Sequence, residues 1–219
     1  LNMSHTKIKI CGIREPEHAR VAIESGTDYL GLVLAKGSPR QLEIAEARTL
    51  VAEICLISQT VEPVALFSNQ PVEFIREALD NADFRIVQLH GDEDRAFVES
   101  LDDVKVFKAV PFDPDKIDAW RNPPANVAAL LIDAPTRPGE LTGGTGRAFD
   151  WDALAQLDTS GLPPIIVAGG LNPDNVAQAV RTLRPFAVDT SSGVESARGV
   201  KDPELIRAFC NAVHSADTD

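Results

Sequence analysis

Several positions in this 219-residue chain carry side chains that could do chemistry at the end of a strand. Cys11-Gly12 closes a short apolar run. An ionised thiol there could act as a base or nucleophile, although a strand cysteine is more often a small core hydrophobe. Asp133 follows Leu130-Leu131-Ile132, where a carboxylate is costly unless paired or used; the plain alternative is a loop or cap hydrogen bond. Lys36-Gly37-Ser38-Pro39-Arg40 offers a guanidinium able to grip a carboxylate through two parallel hydrogen bonds, or else a solvated surface arginine. His90, within Gln88-Leu89-His90-Gly91, is a polar loop residue of the same ambiguous kind. Gly169-Gly170 and, after Asp189-Thr190, Ser191-Ser192-Gly193 are small enough for backbone N–H groups to point at an anion. Together they predict a phosphorylated small molecule as ligand.

Chemistry of this kind needs a frame that brings distant segments together. Short, apolar, β-branched runs predict strands at Ile8–Cys11, Tyr29–Leu34, Pro63–Phe67, Ile86–Leu89, Val104–Val110, Val127–Ile132, Pro164–Ala168 and Phe186–Asp189. Nearly continuous apolar runs suit a parallel sheet covered on both faces. Between them, Ile44, Ala47, Val51 and Ile54 share a helical face, as do Val176, Val180 and Leu183, and Ile206, Phe209 and Val213. Asn172-Pro173-Asp174 and Asp202-Pro203-Glu204 each read as an N-cap, a proline at the first helical position and an acid at the positive helix end. Gly26 and Gly161 fall where a helix or its following loop needs a permissive residue. Eight strand–helix units predict an α/β fold, a single (β/α)₈ TIM barrel over 1–219, with an open doubly wound sheet as the rival. Barrels place their chemistry at the C-terminal strand ends, where these candidates fall. The loop from Thr136 to Phe149, with Gly139, Gly143, Gly144 and Gly146, is either a substrate lid or merely flexible.

Composition narrows the class further. With 21 basic and 33 acidic residues the net charge is −12, and no basic tract with interleaved aromatics offsets it, so nucleic acid is not an expected partner. No apolar stretch is long enough to predict a membrane span. Residues Leu1 to Lys7 lack the apolar core of a signal peptide. Leu1-Asn2 ahead of Met3 reads as a cloning remnant; residues 1–6 are expected to be a disordered or tag-derived extension and 214–219 an acidic tail. Cys11, Cys55 and Cys210 form an odd set without metal-ligand spacing, which predicts reduced thiols, no metal and a cytoplasmic protein. The absence of a long exposed apolar stripe leads to the expectation of a monomer.

Seven segments in order, KICGI at 9–13, SPR at 38–40, VQLHGDE at 87–93, LLIDA at 130–134, GGTGRAFDW at 143–151, AGGLNPDNV at 168–176 and VDTSSGVES at 188–196, resemble the phosphoribosylanthranilate isomerases of tryptophan biosynthesis. The resemblance covers nearly the whole chain. It implies the same barrel, no cofactor, and an Amadori rearrangement with Cys11 as general base and Asp133 as general acid. It also implies that Arg40 faces the anthranilate carboxylate, that His90 and Asp189 lie near the substrate, and that the glycine and serine loops hold its phosphate. One departure is Leu34-Ala35-Lys36-Gly37, where relatives often carry aromatic residues, which implies looser stacking around the anthranilate ring. The competing readings are the related histidine-pathway isomerase or a bifunctional enzyme, which typically carries an aspartate where Cys11 stands, and a non-catalytic phosphate-binding barrel.

Overall fold

The computed structural model describes residues 5–134 and 151–218. Its barrel strands are β1 (Lys7–Cys11), β2 (Tyr29–Val33), β3 (Glu62–Phe67), β4 (Ile86–Leu89), β5 (Lys105–Pro111), β6 (Val127–Asp133), β7 (Ile165–Val167) and β8 (Ala187–Thr190). All pair in parallel in chain order, and β1 closes the ring by pairing with both β2 and β8. This is the (β/α)₈ barrel that the sequence pattern predicts, and closure excludes the open doubly wound sheet. Around it lie α1 (Pro16–Glu24), α2 (Ile44–Ile57), α3 (Val72–Asn81), α4 (Arg95–Glu99), α5 (Pro114–Asp118), α6 (Trp151–Ala155), α7 (Val176–Leu183) and α8 (Pro203–Thr218).

The apolar runs are continuous because each strand is buried on both faces. Ile8, Ile10, Leu30, Leu32, Leu130, Ile132 and Val188 face outward into the layer shared with the helices. Tyr29, Val64, Ile86, Phe107, Leu131 and Ile166 fill the inside, where Tyr29 and Phe107 meet edge to face at 5.3 Å. Since alternate residues share a face, Lys9 and Cys11 are inward residues of β1, flanking the outward Ile10.

The helix punctuation behaves as read, with one shift. Asp202 caps α8 by accepting from the N–H groups of Glu204 and Leu205 at 2.8 and 3.2 Å. Asn172 accepts from Asp174 N at 2.9 Å, but in a turn ahead of α7, which starts only at Val176. Three pieces lie outside the repeating pattern: a 3₁₀ turn at Ser192–Val194 and a hairpin of β9 (Glu195–Ala197) and β10 (Val200–Lys201). Among the described residues no helix is long and apolar enough to cross a membrane.

Residues 214–218, expected as an acidic tail, continue α8 to Thr218. The reason is a specific anchor: Asp217 accepts from the backbone N–H of Thr6 at 2.8 Å and from its hydroxyl at 2.7 Å. Thr6 is itself buried, so the last helix clasps the lead-in to the first strand. Asp217→Ala is expected to lower unfolding stability by roughly 1–3 kcal/mol, the cost of stranding two buried donors, as read by a urea titration. A change too small to resolve would mean that the contact is solvated.

Candidate active site

One pocket at the C-terminal end of the barrel gathers every candidate named above: Cys11, Arg40, His90, Asp133, Gly169, Gly170, Asp189, Ser191, Ser192 and Gly193. It encloses about 740 Å³ of non-protein space, part of it open to solvent. Its apolar wall comprises Val33, Ala35 and Leu66 with Cys11. Ala35 is thus a wall residue without an aromatic ring, and neighbouring Lys36 lies over the Phe74 ring at 5.7 Å. The glycine-rich loop at 136–149 lies outside the described residues.

The floor is set by an ion pair that the sequence reading missed. Lys9 is fully buried, and its Nζ donates to Asp189 Oδ1 at 2.6 Å. Register makes the pair: Lys9 on β1 lies directly beside Asp189 on β8. Asp189 lines the pocket, yet one of its oxygens is already committed to Lys9. A lysine two residues before the strand-end cysteine, on the same face, was the available signal. Cys11 is buried above it, and burial pushes its thiol above the ordinary value while the Lys9 and Lys201 ammonium groups pull the other way. The ion pair also outweighs desolvation at Lys9, whose ammonium is held above its usual range.

Cys11 has room because its register partner on β2 is Gly31. A Cβ on Gly31 would approach Cys11 Sγ to 2.8 Å.

Across the pocket, Asp133 Oδ1 accepts from Ala134 N at 2.8 Å, and Oδ2 lies 3.2 Å from His90 Nε2. His90 Nδ1 is 2.9 Å from Gln88 Nε2. Because an amide nitrogen can only donate, His90 Nδ1 is an acceptor here and Nε2 carries the proton toward Asp133. Gln88 is fully buried on the inner face of β4, and its Oε1 has no partner. His90 therefore touches the carboxylate of Asp133 as well as lining the pocket.

The loop holding His90 is clamped from beneath. Glu93 accepts from Asn69 N at 2.7 Å, from Gly91 N at 2.9 Å and from buried Lys108 Nζ at 3.0 Å. Burial lowers the ammonium pKa of Lys108, with Glu93 opposing that shift.

The β7 and β8 loops form the opposite rim. Gly169 and Gly170 are left-handed, at φ 78° and 69°, a conformation that disfavours side chains. Thr190 Oγ1 ties the two loops together by donating to Leu171 O at 2.7 Å, and Ser191 Oγ donates to Cys11 O at 3.0 Å. The 3₁₀ turn at Ser192–Val194 continues this rim on the β8 side.

Arg40 does grip a carboxylate with its fork, but that carboxylate belongs to the chain. Nε and Nη2 donate to Glu195 Oε1 and Oε2 at 2.6 and 2.8 Å. Lys201 joins the cluster through Glu195 Oε1 at 2.9 Å and Ser191 O at 2.8 Å. Glu195 and Lys201 sit on the β9–β10 hairpin, whose residues show no strand or helix period long enough to mark their partners in the sequence. Among the described residues no three His, Cys, Asp or Glu side chains gather as a metal set.

A family model described as N-(5'phosphoribosyl)anthranilate (PRA) isomerase matches residues 8–212. The chain is 41% identical over 207 residues to the N-(5'-phosphoribosyl)anthranilate isomerase of Geotalea daltonii, covering 93% of this chain and 94% of that one. Its fold is similar to the crystal structure of the Thermus thermophilus phosphoribosyl anthranilate isomerase, with TM-score 0.82, 35% identity, and coverage of 96% and 99%. It is also similar, at TM-score 0.77 and 30% identity with the same coverage, to a phosphoribosyl anthranilate isomerase in complex with reduced 1-(o-carboxyphenylamino)-1-deoxyribulose 5-phosphate.

Lys9→Met would leave Asp189 buried without its cation and is expected to cost roughly 3–5 kcal/mol in urea unfolding. Lys9→Met/Asp189→Asn should recover most of that loss; equal stability of the single and double variants would show that Asp189 is solvated. Gly31→Ala, by displacing the Cys11 sulfur and crowding its Cα, is expected to lower kcat by about 10- to 100-fold and to cost about 1–3 kcal/mol of stability. Unchanged kcat would mean that the sulfur position is not critical.

Proposed function

The chain belongs to the N-(5'-phosphoribosyl)anthranilate isomerase family, and we propose that Cys11 and Asp133 are the base and acid of its reaction. The protein is an isomerase of tryptophan biosynthesis. It converts N-(5'-phosphoribosyl)anthranilate into 1-(2-carboxyphenylamino)-1-deoxyribulose 5-phosphate. The observation that carries the residue assignment is that a thiol and a carboxylate line the same pocket as a rim of glycines and serines.

In this reading neutral Asp133 protonates the furanose ring oxygen as the bond from that oxygen to C1 breaks. The nitrogen lone pair forms the C1 iminium. Cys11 thiolate then takes the proton from C2, and the released electron pair makes the C1–C2 double bond of an enolamine while neutralising the iminium. Finally C1 gains a proton and the C2 hydroxyl loses one, giving the ketone. The iminium, forming near the thiol, favours thiolate by the same sign of charge as Lys9 and Lys201.

The hydrogen-bond chain supports Asp133 as the acid. Rotating the Gln88 amide would offer its unpartnered Oε1 to His90 Nδ1–H, leaving His90 Nε2 free to accept from a protonated Asp133. The two amide settings thus match the two protonation states that an acid must visit. The small-residue rim is read as the phosphate seat, and Arg40 as the partner of the anthranilate carboxylate through the N–H groups Glu195 leaves unused. Asp189 is read as a sugar or amine contact through the oxygen not held by Lys9. A monomer suffices for this reading, since all these side chains come from one chain, and three unpaired thiols suit the cytoplasm.

Turnover of substrate generated in situ tests the pair. Cys11→Ala and Asp133→Ala are each expected to lose roughly 10²- to 10⁴-fold in kcat while keeping native circular dichroism. Because burial raises the thiol pKa, the ionised base becomes more abundant as pH rises, so kcat/KM should climb through the alkaline range. Cys11→Asp should flatten that limb. Activity that survives both alanine substitutions sinks the assignments.

A further inference from the structure

Arg40 is held from two sides. Its Cδ packs so tightly on Gly12 that a Cβ there would come within 2.4 Å. Its Nε–Nη2 edge is taken by Glu195. A guanidinium has five N–H bonds in one rigid plane, so two are used and three remain, and the Nη1–Nη2 edge is itself a fork that matches a carboxylate. Arg40 lines the pocket, and among the described residues no other hydrogen bond takes that edge.

Glu195 is fixed in turn. Besides Arg40, it accepts from Lys201 Nζ at 2.9 Å and from Gly199 N at 3.0 Å. Burial would raise its pKa, but Arg40 and Lys201 outweigh that and hold the carboxyl at about 2, so it stays ionised wherever the enzyme works. Lys201 is buried, and burial pulls its ammonium below the ordinary range against the attraction of Glu195. One carboxylate against two cations leaves this cluster with an excess of one positive charge beside the pocket. An incoming anion would balance it.

We infer that Glu195 is a positioning residue that turns the terminal edge of Arg40 into the seat of the anthranilate carboxylate and thereby sets the preference for N-aryl substrates carrying that group. The inference rests on the reading of Arg40 given above. Glu195 touches no reacting atom; it acts by removing the other edge of Arg40 from competition and fixing the plane of the guanidinium. Lys201 extends the same clamp to Ser191, so the carboxylate end and the phosphate end of the site share one support.

The test measures dissociation constants by calorimetry for reduced 1-(2-carboxyphenylamino)-1-deoxyribulose 5-phosphate and for its phenylamino counterpart lacking the carboxylate. Wild type is expected to prefer the first by roughly 10- to 100-fold, the worth of a charge-assisted pair. Glu195→Gln should collapse that ratio toward unity, with a much smaller loss of affinity for the phenylamino compound than for the carboxylated one. Glu195→Asp, which keeps the charge but shortens the reach, should fall between, and it carries the comparison if Glu195→Gln does not fold by circular dichroism. Equal weakening of both ligands, an unchanged ratio, or a ratio above that of wild type overturns the inference. Failure of wild type to distinguish the two ligands overturns instead the reading of Arg40 beneath it.

Discussion

A lysine ammonium without solvent exposure lies inside this barrel, and much of the site depends on how its charge is met. The Lys9 side chain can be there only with an anion beside it, and the β1–β8 register supplies Asp189 at hydrogen-bonding distance. That pairing helps hold the first and last strands in one alignment. It also fixes the face on which Cys11 emerges, since a one-residue slip would turn Lys9 outward among the apolar side chains under the helices and take Cys11 with it. The charges that make the floor stable also bear on the thiol above: Lys9 favours thiolate, and Asp189 opposes it.

The upper site uses a second principle, the sharing of one support by several functional groups. Glu195 holds Arg40, Lys201 and the Gly199 amide, and Lys201 reaches Ser191. Ser191 in turn bonds to the backbone of Cys11. Groups from β1, the β2 loop, the β8 loop and the β9–β10 hairpin are therefore mutually constrained before any ligand enters. On the other wall, Gln88, His90 and Asp133 form a separate chain, with Glu93 and Lys108 bracing its loop. Two independently braced walls are the kind of preorganisation that acid–base chemistry needs.

The barrel was legible in the sequence because both faces of its strands are apolar and the start of α8 carries proline and acid in order behind its Asp202 cap. Strand ends differ from the reading by a residue or so; Ile86–Leu89 coincides, while β7 is shorter than the run at 164–168 suggested. Every candidate side chain arrives in one pocket, because a barrel brings all its strand ends to one rim. What sequence reasoning missed were the partners. Lys9 stands within KICGI, and its two-residue spacing from Cys11 marks it as inward, but nothing local names Asp189 as its partner. Glu195 and Lys201 could not be paired with Arg40 from spacing, since they meet it only through tertiary packing, 155 positions away in the case of Glu195. The acidic C-terminal stretch read as a tail because nothing local shows that Asp217 reaches Thr6.

The Glu93 clamp makes the two sides of the barrel mouth unlike. On the β3 and β4 side, the amides of Asn69 and Gly91 and the ammonium of Lys108 already surround a carboxylate that the chain itself supplies. On the facing side, four strands away round the ring, glycines and serines border open space. The donors of the β3 and β4 loops are therefore spent within the fold, on a carboxylate that does not line the pocket, and they shape the site only by fixing the loop that carries His90.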